Sequence, residues 1–348
     1  MEQNKLMEEN IWKLKEKFGR KLYIPAHHYQ KDEVIQFADD IGDSLRLAEL
    51  AAANKDAEFI LFCGVHFMAE TADMLTESSQ KVFLPESDAG CPMADMATIE
   101  QAETSWEQLT RVFGERIIPI TYINSSAAIK AFVGRNGGAT VTSSNAKKVL
   151  EWAFTQKEIV FFLPDRHLGK NTAYNLGISE NQMALRNPHR ELLEYTGELS
   201  DIRVILWKGF CAVHQRFTVA DIEAARRNPE VKVVVHPESA FEVVRASDYN
   251  GSTSRIIQLV DESPVGSKWV IGTESNLVNR LAKQNPDKEI RSLSKYESYC
   301  NTMNKITLES LYLALEKINN NNYEQQITVD EATALEAILS LERMLSIK

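Results

Sequence analysis

The chain has 348 residues, with 39 Lys plus Arg against 49 Asp plus Glu and a formal net charge of −10. That balance argues against nucleic acid or an anionic membrane as a general partner, because both are bound through clustered positive charge. Small anionic substrates stay open, since backbone amides at a helix start can hold an anion in a protein that is acidic overall. The length allows one large core or two to three smaller ones.

Residues 1–19 form a charged amphipathic pattern on Leu6, Ile11, Trp12, Leu14 and Phe18. No apolar stretch followed by a small-residue cleavage site interrupts it, so no secretory signal is read, and no apolar run is long enough to span a bilayer. The expected compartment is the reducing cytoplasm, where scattered cysteines stay thiols. Further along, β-branched and apolar runs ended by turn residues predict strands in three groups. The first group is 21–26, 58–63 and 81–84, the second 117–123, 139–142 and 158–163, and the third 202–206, 231–235 and 268–271. Continuous apolar strands alternating with helices imply parallel sheets covered on both faces, hence an α/β fold. Three groups predict three small α/β domains over 1–103 (with an N-terminal helix), 104–196 and 197–304. The tail, 305–348, reads as capping helices interrupted by a turn at 319–323.

Chemistry-bearing residues gather where these strands end, which is where open parallel sheets bind ligands. His27 and Tyr29 close one strand of the first group, and His236 and Glu238 flank Pro237 at the end of another in the third; imidazole, phenol and carboxylate can all transfer protons. The other histidines, His28, His66, His167 and His189, read as structural or solvated, and His214 has no assigned role. In each third a polar turn opens an apolar-periodic segment: Gly42-Asp43-Ser44, Thr142-Ser143-Ser144-Asn145 and Gly251-Ser252-Thr253-Ser254. Singly these read as N-caps. Repeated in corresponding places, they suit ligands bearing several negative charges.

Three of the four cysteines, Cys91, Cys211 and Cys300, stand in glycine- or polar-rich turns, whereas Cys63 ends an apolar strand run. Three thiolates can hold an iron–sulfur cluster by three irons and leave the fourth open as a Lewis acid, whereas four thiolates make an electron carrier. Without a CxxC pair, spacing alone leaves two other readings open. One is small buried hydrophobes; the other is a zinc site with water in its fourth position.

Across nearly its whole length the chain resembles the quinolinate synthase family. The likeness rests on Ala26-His27-His28-Tyr29-Gln30, Gly42-Asp43-Ser44, Gly64-Val65-His66-Phe67-Met68-Ala69-Glu70-Thr71-Ala72 and Gly90-Cys91-Pro92-Met93-Ala94. It continues through Tyr122-Ile123-Asn124, Thr142-Ser143-Ser144-Asn145-Ala146, His236-Pro237-Glu238, Gly251-Ser252-Thr253 and Cys300. The resemblance implies three α/β/α domains in a pseudo-threefold triangle around a 4Fe-4S cluster on Cys91, Cys211 and Cys300, with the fourth iron open to substrate. It implies condensation of iminoaspartate with dihydroxyacetone phosphate to quinolinate, with loss of phosphate and water. Substrate contacts carry over to His27, Ser44, Tyr122, Ile123, Asn124, Ser143, His236, Pro237, Glu238 and Thr253. Catalytic roles carry over to Tyr29, His236 and Glu238, with Tyr29 matching a tyrosine tied to proton transfer and site closure. The partners implied are an L-aspartate oxidase supplying iminoaspartate and the iron–sulfur assembly machinery, with a homodimer as one oligomeric form. Two departures stand out. Asn301, Thr302 and Met303 follow Cys300, so the cysteine redox switch of some members cannot operate here. Residues 132–138, with Gly134, Gly137 and Gly138, read as a short insertion. A rival from another class is a non-catalytic sensor of iron or redox state that binds a phosphorylated metabolite.

Overall fold

The computed structural model describes residues 2–347. The fold is α/β, built from mostly parallel sheets flanked by helices. Its contacts gather into two compact units: one comprises the chain up to Cys91, Glu274–Gln284 and Tyr299–Val329, and the other comprises Pro92–Thr273, Asn285–Ser298 and the chain from Asp330 onward. Among the described residues no helix is long and apolar enough to cross a membrane.

In the first unit, Leu22–Tyr23, Phe59–Leu61 and Lys81–Phe83 pair in parallel, and Gln326–Ile327 adds an antiparallel edge. The predicted strand at 21–26 divides. Its second half, Pro25–His27, leaves this sheet to pair in parallel with Asp40–Gly42, and that turn-off brings His27 to the end of a separate two-stranded sheet. The amphipathic helix Glu2–Phe18 buries Ile11 and Leu14 in a core shared with Leu308, Leu311, Leu315 and Ile318 of the helix Leu308–Asn319.

The second unit has two sheets. In the larger, the order is Leu192–Tyr195, Met183–Asn187, Val204–Trp207, Ile159–Leu163, Ile117–Tyr122 and Ala139–Val141, parallel throughout except for the first edge strand. Ile117–Tyr122 and Ile159–Leu163 are buried along their whole length, as continuous apolar runs require when helices cover both faces. The smaller sheet is parallel, in the order Tyr249–Asn250, Val231–Val235, Lys268–Gly272 and Glu289–Ser292.

The run predicted at 202–206, grouped on the sequence with 231–235 and 268–271, pairs instead between Met183–Asn187 and Ile159–Leu163 in the larger sheet. An apolar run encodes burial but not which neighbour it pairs with. The hairpin Met183–Asn187 with Leu192–Tyr195 escaped the sequence reading because its outer strand is largely exposed and carries no apolar periodicity. The tail forms the two helices Leu308–Asn319 and Glu331–Ser346, with the asparagine run as a turn between them.

Candidate functional site

The second unit gathers its candidate residues at strand ends. His236, Pro237 and Glu238 follow Val231–Val235, and the His236 N–H donates to the Gly272 carbonyl at 3.0 Å, which fixes the turn against the neighbouring strand. Glu238 is 3% exposed. Its Oε2 lies 2.7 Å from Nδ1 of His214, whose ring stacks on His236 with centroids 4.4 Å apart. Burial by itself pushes the Glu238 carboxyl up, but the His236 and His214 rings and the Tyr122 hydroxyl together hold it well below the usual carboxylate range. Glu238 is therefore an anion, and an anion only accepts, so the proton between it and His214 sits on Nδ1.

His214 also lies 3.3 Å from Sγ of Cys211 through the same Nδ1, and its Nε2 is 3.1 Å from the Thr273 hydroxyl. The sequence reading left His214 without a role. The spacing Cys211-Ala212-Val213-His214 carries the signal, because three residues on a turn bring the thiol and imidazole together. The possible ligand atoms of Cys211, His214 and Glu238 all lie within 4.8 Å of one another, close enough to share a metal ion. Asp165 is fully buried, and its Oδ1 caps the helix Arg166–Asn175 by accepting from the N–H groups of His167 and Leu168. Burial and the charge of Glu238 push the Asp165 carboxyl well above the usual range despite those two donors. Glu238 and Asp165 are thus buried carboxyls pushed in opposite directions by their surroundings.

The hydroxyls assigned to anions are not the caps of their helices. For Thr253–Asp261 the cap is Ser252, which accepts from Arg255 N–H at 3.3 Å, so Thr253 is the first helical residue and is 3% exposed. Ser143 lies inside a turn closed by the Thr142 N–H donating to Asn145 Oδ1 at 2.7 Å, ahead of Ala146–Gln156. In the first unit Asp43 caps Ser44–Ala53 by accepting from Arg46 N–H at 3.0 Å, and Ser44 is again the first helical residue. At Ser44 and Thr253 the neighbouring Asp43 and Ser252 do the capping, whereas Asn145, which precedes Ala146–Gln156, makes no side-chain cap bond to that helix. Asn124 places a buried Oδ1 that has no hydrogen-bond partner among the described residues.

In the first unit, His27 is buried, and its ring centroid lies 4.6 Å from that of Tyr29, edge to face. The loop they sit on is held from the helix Ser275–Gln284. Asn276 Nδ2 donates to the Tyr29 carbonyl at 2.9 Å, and Arg280 donates to the His28 carbonyl at 2.7 Å and to Asp32 at 2.9 Å. Asn276 Nδ2 also donates to Asn304 Oδ1 at 2.8 Å, which ties this loop to the Cys300 segment. Glu274 Oε1 accepts from the Cys300 N–H at 3.3 Å; burial pushes its carboxyl up to about 8, against three backbone donors. The Cys91 turn is tied to the same segment by Lys305 Nζ donating to the Asp88 carbonyl at 3.0 Å.

Cys91, Cys211 and Cys300 are partly exposed, and Cys63 is fully buried. Burial pushes the Cys63 thiol up to about 12, which disfavours the thiolate that binds iron. The Cys300 thiol is also raised by burial, partly offset by the Thr302 hydroxyl 3.4 Å away.

The sequence model of the quinolinate synthetase A protein family (NadA) matches residues 9–346. Quinolinate synthase of Bacillus cereus (strain G9842) is 59% identical over 340 residues, covering 97% of this chain and 92% of the relative. Quinolinate synthase of Bacillus anthracis shows the same identity and coverage. A match of that extent, on a chain whose motif residues converge within each unit as described, shows that it belongs to the quinolinate synthase family of enzymes.

Proposed function

We propose that the chain makes quinolinate by condensing iminoaspartate with dihydroxyacetone phosphate, releasing phosphate and water. The observation that carries this reading is the hydrogen-bonded series from Cys211 through His214 to Glu238, which sets a buried proton acceptor one imidazole away from a thiol suited to bind metal. Cys91, Cys211 and Cys300 would hold one 4Fe-4S cluster, a donor set favoured by their partial exposure and by the burial of Cys63. Bound there, the open iron supplies a Lewis acid for the loss of hydroxide.

The chain's own residues do the rest. Glu238, held ionised, accepts a proton in enolisation or imine formation, and His236 and Tyr29 carry protons to and from the reacting oxygen and nitrogen atoms. Ser44, Ser143 and Thr253 offer hydroxyls and helix-start amides to the carboxylates and the phosphate. His27, Tyr122, Ile123, Asn124 and Pro237 bind and orient the substrates. We further propose domains over 1–103, 104–196 and 197–304 with a capping tail at 305–348, a cytoplasmic setting, cluster loading by the iron–sulfur assembly machinery and supply of iminoaspartate by an L-aspartate oxidase.

Anaerobic purification tests the reading. Iron and sulfide counts of about four each per chain, with quinolinate formed from the two substrates, are expected. Cys91→Ala, Cys211→Ala and Cys300→Ala should each lose the cluster, and Cys63→Ala should keep it. Glu238→Gln should retain iron while turnover falls roughly 10²–10⁴-fold. A second reading, a zinc enzyme, is favoured by the mixed sulfur, nitrogen and oxygen set of Cys211, His214 and Glu238. A colourless, iron-free protein that is active with zinc would establish it and overturn the cluster.

A further inference from the structure

Lys130 is 0% exposed, among the largest fully buried side chains of the chain. Lysine is almost never fully buried unless its charge is compensated, and burying an ammonium is costly. Lys130 also lies in the first half of the helix Ala127–Arg135, where the helix dipole opposes a cation. Its ammonium is held against the adjacent turn.

The turn is the one that ends Ile117–Tyr122. Ser125 closes it: its hydroxyl donates to the Tyr122 carbonyl at 2.8 Å and its N–H donates to the Ile123 carbonyl at 2.8 Å. The Thr121 hydroxyl adds a second donor to the Tyr122 carbonyl at 3.2 Å, and Ile123 N–H is tied to Val141 at 2.8 Å. The Ser125 carbonyl accepts from the Lys130 ammonium. These bonds engage the carbonyls of Tyr122, Ile123 and Ser125 inside the turn. The buried Asn124 Oδ1, without a hydrogen-bond partner among the described residues, suits a ligand that offers an N–H or O–H. A buried positive charge next to the turn suits one that is also an anion.

We infer that Lys130 is a positioning residue, fixing Tyr122, Ile123 and Asn124 through Ser125 and adding a buried positive charge that strengthens binding of a small anion carrying an N–H or O–H donor. The inference rests on the reading of these three residues as substrate contacts.

The test uses anaerobically purified holoenzyme as wild type, Lys130→Met, Lys130→Arg and Ser125→Ala. Its readouts are iron content, melting temperature, kcat and KM for both substrates, and quinolinate affinity by calorimetry. Lys130→Met should keep its iron but melt below the wild type, because the buried Ser125 carbonyl loses its donor, and its constants are read well below that melting temperature. KM for at least one substrate and the quinolinate dissociation constant should rise roughly 10–100-fold with kcat little changed, the loss typical of a charged hydrogen-bonding partner. Lys130→Arg, which keeps the charge, should recover part of that affinity. Ser125→Ala, which keeps the ammonium but loses the brace to Tyr122, should move the same constants in the same direction by less. Unchanged KM and quinolinate affinity in folded, iron-loaded Lys130→Met overturn the inference; should that variant not fold, unchanged constants in Ser125→Ala overturn it. Wild-type protein that neither turns over the substrates nor binds quinolinate removes the functional reading itself, a result distinct from unaltered variants of an active enzyme.

Discussion

His28 stands between His27 and Tyr29, and burial pushes its imidazole down to about 4, with Asp43 pulling it up and Arg280 pushing it further down. In the unfolded chain the same group titrates near about 6.5. As pH falls below that value, the unfolded chain takes up a proton that the folded one refuses, so stability drops from about pH 6.5 and the loss is complete near about pH 4. The loss at stake is on the order of 3 kcal/mol. His28→Gln should remove that part of the acid sensitivity, and urea midpoints on either side of the window would show it. Equal slopes for variant and wild type would place the effect elsewhere. The sequence reads His28 as structural or solvated; what it does not show is that burial disfavours the charged imidazole. Burial is a property of the packed chain, and the same holds for the opposite shifts of Glu238 and Asp165, which stand far apart in the sequence.

Helix starts divide their work between adjacent residues. Asp43 and Ser252 cap, whereas Ser44 and Thr253 begin the helices with their hydroxyls uncommitted to capping. Asp43→Ala and Ser252→Ala should therefore each cost about 1 kcal/mol of stability. Ser44→Ala and Thr253→Ala should leave melting temperature nearly unchanged and weaken substrate binding by roughly 1.5–3 kcal/mol. The reverse pattern, measured by melting and by KM, would return both hydroxyls to a capping role. A second element-level case is the segment 132–138, read from sequence as an insertion. Gly134 belongs to the helix Ala127–Arg135, and a Cβ there would come within 1.9 Å of the Glu336 carbonyl oxygen of Glu331–Ser346. Backbone cannot yield as a side-chain end does, so Gly134→Ala should cost about 1–3 kcal/mol or more by overpacking. A urea midpoint equal to wild type would mean that the two helices separate without penalty.

At the scale of the whole molecule, both units are assembled from segments far apart in the chain. The helix Glu331–Ser346 buries Ala337, Leu341 and Met344, and Arg343 donates to the carbonyls of Gly134 at 3.0 Å and Gly138 at 2.6 Å. Thr140, on the edge strand Ala139–Val141, shares a hydrogen bond of 2.9 Å with Ser340. Each buried Leu or Met contributes about 1.5–3 kcal/mol, and the net stability of a domain is only about 5–15 kcal/mol. Truncation after Val329 should therefore take away most of the second unit's stability, lowering its melting temperature and exposing the amides of Ala139–Val141 to exchange. A truncated chain that melts with the full-length protein would show that this helix is dispensable.

The α/β class, most strand positions, the motif residues and the singular character of Cys63 were all legible in the sequence, because apolar runs, turn residues and short-range spacing are local properties of the chain. Even the contact of Cys211 with His214 was within reach, being three residues apart. The sheet that receives Val204–Trp207, the division of residues 21–26 between two sheets, the His214–Glu238 bond across 24 positions and the burial of Lys130 were decided only in the tertiary structure. An apolar residue carries its preference for burial wherever it stands, whereas the choice of partner and the state of a buried charge depend on which distant segments exclude water around it.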